Sequence, residues 1–237
     1  MPTARAAIAS DVPPAAGTAG RDAEVPPEQR ILLAAIAIFS EHGFDGATLR
    51  QITDRARVNL AAVNYYYRSK DELVRRVLER LMGPIQARLA ALEACEAAAA
   101  PGFPTLEAVI EAMVRPTVTL SRDESGGRPL IRLLLQVRAL PRPETARFFQ
   151  ERVDPIVERF VAAIGRARPE LARADIFWRY NFALGALMQV LTDSDPSLLR
   201  LARQSGGLCD TGDDEAITGQ LVAFIVAGFE GPPAGAR

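Results

Sequence analysis

Five basic side chains and three consecutive tyrosines are concentrated in one short stretch of the sequence. Residues 48–70 contain five basic residues and one acidic residue, a local charge of +4. Arg and Lys neutralise phosphate charges, and tyrosine hydroxyls donate neutral hydrogen bonds to phosphate oxygens. This combination is typical of a surface that follows a nucleic-acid backbone. The basic residues are Arg50, Arg55, Arg57, Arg68 and Lys70, and the tyrosines are Tyr65, Tyr66 and Tyr67.

The rest of the composition excludes several other kinds of chemistry. The 237 residues include 28 basic and 29 acidic side chains, for a net charge of −1, so the protein is not a nonspecific polycation. His42 is the only histidine, and Cys95 and Cys209 are far apart in the sequence. Paired imidazoles, a zinc ribbon and a disulfide framework are therefore excluded within one subunit. We expect no catalytic residues, no metal and no cofactor.

The sequence predicts no contact with a membrane. The longest apolar stretches, residues 31–39 and 221–229, are nine residues each, well below the roughly 18 to 20 needed to span a bilayer. The N-terminal region has no apolar segment of the kind found in secretory signals. We therefore expect a cytoplasmic protein without a membrane partner.

Two helix N-caps place the basic stretch on a pair of short helices. Thr48 and Gln51 have the spacing of a capping box, in which each side chain bonds the other's backbone N–H. Asn59 offers a second N-cap eleven positions later. Two short helices joined by a turn at residues 56–58 form a helix-turn-helix pattern.

A further helix begins at Ser69, and its first residue is Lys70, the only lysine of the chain. Ser69 and Glu72 have capping-box spacing, and Gly83-Pro84 is predicted to end or kink this helix. A positive charge at a helix start opposes the helix dipole by about 0.3 to 1 kcal/mol. A bound phosphate would reverse that sign, so Lys70 and the free N–H groups beside it form a candidate anion site.

The whole chain is predicted to be all-α, because amphipathic helical segments alternate with Pro and Gly breakers and β-type alternation is absent. The predicted organisation is a disordered leader at 1–27, a helix-turn-helix domain at 28–82, a larger helical domain at 83–230 and a flexible tail at 231–237. A first helix over 28–42 is stopped by Gly43. The helices of the larger domain are predicted at 84–99, 104–121, 127–140, 143–167, 170–193, 196–204 and 213–229.

Residues 31–81 resemble the tetracycline-repressor (TetR) family of bacterial regulators. The resemblance is carried by Thr48-Leu49-Arg50-Gln51-Ile52, by the turn-closing Val58, and by the Tyr67-Arg68-Ser69-Lys70 entry into the fourth helix. The run Val58-Asn59-Leu60-Ala61-Ala62-Val63-Asn64-Tyr65 looks like the subgroup that includes fatty-acid-responsive repressors. The sequence departs from the family where Arg57 replaces the usual turn glycine and where Arg68 replaces Gly or Pro.

The resemblance implies a DNA-binding role for residues of the second and third helices. Arg50 matches a base-contact position, and Arg pairs with guanine more often than any other side chain does. Asn64 suits adenine, and Leu60 and Ala61 suit apolar groups such as a thymine methyl, although helix packing remains an equal alternative for those two. Tyr67 is expected in the core. The expected DNA-binding set is Thr48, Arg50, Asn59, Leu60, Ala61, Asn64, Tyr65, Tyr66 and Lys70.

The resemblance also implies a homodimer and a small-molecule effector site in the larger domain. Polar residues within apolar runs are the candidates, because a ligand can partner a buried polar group. The expected ligand set is Met113, Gln136, Arg138, Phe149, Trp178 and Asn181, with a partner inside the protein as the alternative for each. The expected dimer interface, on the last two long helices, is Tyr180, Leu184, Leu187, Leu191, Leu221, Phe224 and Ile225, with packing inside the chain as the alternative for each single residue.

Together these features predict a ligand-responsive transcriptional regulator, a repressor, that binds a palindromic double-stranded DNA operator as a homodimer. The effector that releases it is expected to be hydrophobic or acyl. The alternative is an all-helical enzyme or lipid-binding protein without DNA binding, for which the chain offers few reactive side chains. A regulator acting only through protein contacts is a third option, favoured if Arg57 unfolds the turn.

Overall fold

The computed structural model describes residues 25–122, 127–193 and 199–232, and every regular element within them is an α-helix. The all-α prediction is confirmed. Most of the predicted leader and positions 233–237 of the predicted tail lie outside the described residues. In chain order the helices are α1 (Pro27–Gly46), α2 (Leu49–Ala56), α3 (Leu60–Tyr67), α4 (Lys70–Ala99), α5 (Leu106–Ser121), α6 (Gly127–Ala139), α7 (Pro143–Arg152), α8 (Asp154–Ala167), α9 (Arg173–Asp193), α10 (Arg200–Gln204) and α11 (Asp214–Glu230).

The first three helices pack together because each presents its apolar residues on one side. Ile31 and Phe39 of α1 have no exposed surface, and Ile52 of α2 and Val63 of α3 are equally buried in the same core. The solvent-facing sides of α2 and α3 are left free to carry the basic and polar residues.

One helix, α4, runs without a break from the first three helices into the larger part of the chain. Residues 83–84 are predicted to end or kink this helix, and the predicted end is wrong, because α4 continues to Ala99. Pro84 lacks an N–H and cannot bond the carbonyl of Arg80. It is accommodated because Pro84 and Ile85 are both buried against the core, and packing of an apolar face supplies most of the stability of helices in proteins.

The predicted continuous helix at 143–167 is also wrong, because α7 ends at Arg152 and α8 begins at Asp154, with Val153 between them. Pro155 removes the N–H that would bond the carbonyl of Glu151. Unlike Pro84, it lies on the exposed side of its helix, where no packing compensates for the lost bond. Two separate helices therefore face the cavity described below.

The larger part of the chain is organised around α5, which packs against α4 and α11. Val109, Ile110 and Met113 of α5 are completely buried. Arg122 at the end of α5 donates a hydrogen bond to the Asp214 carboxylate of α11 at 2.6 Å. These contacts hold α4, α5 and α11 together as the framework on which the other helices pack.

The two parts of the chain also meet where the end of α1 contacts α6. The helical backbone is interrupted at Gly43, whose φ of 71° lies in the left-handed region, so the predicted stop is confirmed, although α1 adds a further turn. A Cβ at Gly43 would lie 3.3 Å from Nε2 of Gln136 in α6. Arg142 pairs with Asp45 and lies 5.4 Å above the ring of Phe44.

Candidate functional site

The two predicted N-caps fix where α2 and α3 begin. The Gln51 N–H donates to Oγ1 of Thr48 at 3.3 Å, and the Thr48 N–H donates to Oε1 of Gln51 at 2.8 Å. The Ala62 N–H donates to Oδ1 of Asn59 at 2.9 Å. Both capping predictions are confirmed, and each helix start is held by its own side chains.

The turn between α2 and α3 is left-handed. Arg57 has φ 54° and ψ 49°, and the N–H of Val58 donates to the carbonyl of Thr53 at 3.1 Å. Arg68, directly after α3, also has a positive φ of 60°. The sequence departs from the family at these two positions, and both retain the backbone geometry that glycine adopts most readily.

One side of α3 is exposed and the other is buried. Val63 has no exposed surface, and Tyr67 is 2% exposed. The exposed side carries five of the nine residues expected to bind DNA, with Tyr65 81% exposed and Leu60 about half exposed. The five are Leu60, Ala61, Asn64, Tyr65 and Tyr66.

Tyr67 anchors α3 to α1, as the prediction of a core role requires. Its hydroxyl donates to the backbone carbonyl of Glu28 at 2.8 Å. Burial, with a smaller effect of the negative Glu28, raises the pKa of Tyr67 to about 12. The phenol therefore stays protonated and keeps donating at neutral pH.

Of the cations on α2, Arg50 is the one that extends furthest into solvent. Its side chain is 91% exposed, and its nearest carboxylate, Asp54, is 4.0 Å away. Arg55 on the same helix instead donates to Oε1 of Glu41 at 2.9 Å. Arg50 is thus available for an external partner, whereas Arg55 helps to fix α2 to α1.

Lys70 is held by the end of α1. Its ammonium donates to the carbonyl of Ala47 at 2.6 Å and to that of Asp45 at 3.4 Å, so one of its three N–H bonds is left for another partner. Only half of the predicted Ser69 capping box forms. The Glu72 N–H donates to Oγ of Ser69, but the Glu72 carboxylate accepts a hydrogen bond from Arg75 instead of from the backbone of Ser69. The bond from Arg75 lowers the pKa of Glu72.

A cavity of about 520 Å³ lies among α4, α6, α7, α8 and α9. This volume falls within the range of small-molecule sites. Three residues of the predicted ligand set, Arg138, Phe149 and Asn181, line it, and the same three line an adjoining hollow of about 350 Å³. The other lining residues are Ile85, Arg88, Leu134, Leu135, Val153, Ile156, Val157, Phe160, Tyr180, Leu184, Gly185, Met188, Gln189 and Thr192.

The other three residues of the predicted ligand set lie elsewhere, so their assignment to this cavity is corrected. Met113 is completely buried in the core around α5. Gln136 faces Gly43 at the junction of α1 and α6, where its Oε1 is buried without a hydrogen-bond partner. Trp178 is 61% exposed on the outer side of α9. An apolar run therefore does not by itself show which helix face meets a cavity.

The sequence prediction missed Arg88, which lines the cavity and is only 6% exposed. A signal was present in the spacing. Leu81, Ile85, Arg88 and Leu92 recur at the intervals of one helix face, so the arginine occupies a position that the pattern reserves for apolar residues.

Most of the residues predicted at the dimer interface are buried within the chain itself. A side chain already covered by its own chain has almost no surface left for a partner, so these five are corrected to the intramolecular core: Tyr180, Leu187, Leu191, Leu221 and Ile225. Leu184 lines the cavity, and Phe224 alone is largely exposed, at 68%. The large apolar side chains exposed on α9 and α11 are Trp178, Phe182 and Phe224.

Two short helices joined by a left-handed turn, packed on α1 and with an exposed face on α3, define a helix-turn-helix regulator, here joined to a helical part with a cavity. The chain belongs to the tetracycline-repressor (TetR) family of bacterial transcriptional regulators. The family model described as "Bacterial regulatory proteins, tetR family" matches residues 31–77, and "Tetracyclin repressor-like, C-terminal domain" matches residues 111–228. The family prediction is confirmed.

Similarity to individual proteins is local in sequence and extensive in fold. The HTH-type transcriptional repressor SCO4008 of Streptomyces coelicolor is 42% identical over 64 residues, which cover 27% of this chain and 33% of that protein. The chain thus matches about a third of the length of this curated relative. The crystal structure of SCO3833, a TetR-family member from Streptomyces coelicolor A3, has a TM-score of 0.60 at 21% identity, covering 84% of this chain and 90% of that one.

A second solved structure was determined with both kinds of partner bound. AibR in complex with isovaleryl coenzyme A and operator DNA has a TM-score of 0.59 at 16% identity, covering 84% of this chain and 97% of that one. Within residues 25–122, 127–193 and 199–232, no helix is long and apolar enough to cross a membrane. The same residues bring together no cluster of side chains suited to a metal ion.

Proposed function

We propose that this chain is a homodimeric repressor that binds a palindromic operator and leaves it when a small molecule with an apolar body fills the cavity. The observation that carries the proposal is the exposed face of α3, which is held in place by the Asn59 N-cap and by Tyr67, together with the exposed Arg50 on the adjacent α2. A helix fixed in this way can enter a major groove with a defined orientation.

Within this proposal the exposed residues divide into those that read bases and those that hold the backbone. Arg50 and Asn64 pair with guanine and adenine edges, and Leu60 and Ala61 contact apolar groups of the bases. The remaining residues bind phosphates, which fixes position rather than sequence. These are Thr48, Asn59, Tyr65, Tyr66 and Lys70, the last through its one remaining N–H.

The proposed dimer uses the exposed apolar side chains of α9 and α11. A palindromic operator places half-sites about 34 to 36 Å apart. Binding both half-sites requires two helix-turn-helix units, each formed by α2 and α3 and called the reading head below, related by a two-fold axis. Trp178 and Phe182 are each more than half exposed on α9, with ring centroids 5.8 Å apart, and Phe224 is exposed on α11, which contacts α9. A second copy would cover this surface.

The proposed effector site and the proposed DNA site are connected by α4. This helix carries Lys70 at one end and, four turns later, Ile85 and Arg88 in the cavity wall. A ligand that shifts α4 relative to α6 changes the position of the reading head. The loss of operator affinity is set by how much more tightly the ligand binds the shifted arrangement than the DNA-bound one.

Selection from random DNA duplexes, followed by fluorescence anisotropy on the enriched sequence, tests this function. We expect a palindromic site. Arg50→Ala should relax specificity at one base pair by about 1 to 3 kcal/mol, whereas Lys70→Ala should weaken all sequences and reduce the salt slope by about 1. Arg147→Ala, on an exposed face of α7, is the control and should bind like the wild type. Failure to enrich any sequence at low salt would overturn the proposal.

A further inference from the structure

Arg88 is a buried cation for which the described chain supplies no counter-charge. The residue is 6% exposed, and its Nε is buried without a hydrogen-bond partner. Burying a charge without a partner is costly, so buried charges are normally paired. The arrangement indicates that a partner for Arg88 arrives from outside the chain.

The surroundings of Arg88 increase the need for an anion. Burial lowers the pKa of Arg88, and the nearby Arg138 lowers it further, while Tyr180 opposes this effect. A guanidinium nevertheless remains protonated in proteins. Among the described residues that line the cavity, none is Asp or Glu, and Asp154 lines only the adjoining hollow. The cavity wall therefore carries positive charge on a largely apolar surface.

We propose that the cavity binds an organic carboxylate with an apolar body, its two oxygens held by the guanidinium of Arg88 and its body lying against the aliphatic and aromatic wall. This inference rests on the proposed effector site and names the class of its ligand. The two-oxygen fork of a carboxylate matches the geometry of a guanidinium.

The charge at the site favours a carboxylate over a phosphate ester. A phosphate ester carries up to two negative charges at neutral pH, and the second cation, Arg138, is exposed. Burial raises the pKa of Tyr180 in the wall, so its phenol stays neutral and is available as a donor. One buried guanidinium balances one carboxylate.

Calorimetric titration of the full chain, without DNA, tests the proposal with matched ligands. The probes are straight-chain carboxylates from butanoate to dodecanoate, with octanol and monooctyl phosphate as controls of equal chain length. We expect at least one carboxylate to bind, and octanoate to bind at least tenfold more tightly than octanol or the phosphate. Equal binding of octanol, tighter binding of the phosphate, or no binding by any carboxylate would overturn it.

Substitutions in α4 identify the binding group. Arg88→Met keeps a similar length without the charge and should weaken the best carboxylate by about 10- to 100-fold, the value of a charge-assisted hydrogen bond. Arg76→Met makes the same change on the exposed side of α4 and should leave the affinity unchanged. Arg88→Met should also unfold at the same or a higher temperature than the wild type without ligand, because an uncompensated buried charge has been removed. Unchanged carboxylate affinity in folded Arg88→Met would refute the role of Arg88.

A separate DNA-binding measurement distinguishes this inference from the proposed function. A carboxylate that binds through Arg88 but leaves operator affinity unchanged would confirm the carboxylate site and refute the effector role. Release from the operator by a neutral compound, with no carboxylate bound, would refute the carboxylate site and leave the regulator proposal standing.

Discussion

Arg57 holds the turn between α2 and α3 in a left-handed conformation that strains a residue with a Cβ. We expect Arg57→Gly to be more stable than Arg57→Ala by about 1 kcal/mol, because both lose the same side chain and only glycine relieves the backbone. Urea unfolding of the two variants measures the difference. Equal stability, or a more stable alanine variant, would contradict the assigned strain.

Tyr67 should make the stability of the protein depend on alkaline pH. In the unfolded chain the phenol ionises at its ordinary pKa of 10.0, whereas the folded protein retains the proton up to about 12. Proton release then favours the unfolded chain, so the Tyr67 contribution is complete below pH 10 and declines as the pH rises towards 12.

Tyr67→Phe is the matched variant for this pH dependence. It removes the hydroxyl and its bond to Glu28, so we expect a loss of about 1 kcal/mol near neutral pH. The difference in unfolding free energy between the wild type and Tyr67→Phe should shrink as the pH rises past 10. A difference that does not depend on pH would refute the raised pKa of Tyr67. Tyr180, whose pKa is also raised, is present in both proteins and cancels.

At the scale of single residues, the rules for helix caps predicted residue roles correctly, whereas the position of a residue within an apolar run often did not. Thr48 and Asn59 were predicted correctly as caps because an N-cap depends on residues within one turn. Met113 and Trp178 were misplaced because the direction of a side chain across a bundle depends on how helices far apart in sequence pack. Arg88 was missed although the spacing of α4 marks it as a polar residue in an apolar stripe.

The junction between α1 and α6 depends on the absence of a side chain at Gly43. Gly43→Ala should lower the unfolding free energy by about 1 to 2 kcal/mol, because the residue has a positive φ and its new Cβ would lie 3.3 Å from Gln136. Gly46→Ala in the same turn is the control, since its added Cβ would make only an ordinary contact at 3.7 Å. Thermal unfolding of both variants measures the two changes in unfolding free energy. Equal losses of stability would show that the positive φ of Gly43 does not disfavour a side chain there.

At the scale of elements, the order and number of helices in the front part followed from sequence, whereas the effects of two prolines, Pro84 and Pro155, did not. Pro84 lies within α4, whereas Pro155 is the second residue of α8, although both remove a backbone donor. The difference lies in burial, which depends on the finished packing. The boundary proposed between residues 82 and 83 therefore falls inside a continuous helix.

The whole molecule should depend on the exposed aromatic surface of α9 and α11 for assembly. Phe224→Glu should shift the protein from dimer to monomer in sedimentation experiments and weaken operator binding, because a charge would be buried between the copies. Leu208→Glu changes a side chain that is even more exposed, but lies outside these helices, and should remain dimeric. Dimerisation of Phe224→Glu at wild-type strength would place the interface elsewhere.

The positive charge of the molecule is concentrated in the segment that carries α2 and α3, which therefore attracts phosphates. Residues 48–70 carry +4, and the rest of the chain carries −5. The negative remainder should keep the larger part away from DNA, so binding should be sensitive to salt through a small number of contacts.

In the proposed coupling, the continuous α4 acts as a lever with unequal arms on either side of Pro84. Its rise of 1.5 Å per residue puts Lys70 about 21 Å from Pro84, while Arg88 lies within about one turn on the other side. A rotation of roughly 10° about Pro84 would move the Lys70 end by about 4 Å, close to the 3.4 Å between successive base pairs. In the proposed regulator, a displacement of about 1 Å at Arg88 would therefore move the Lys70 end by about the rise of one base pair.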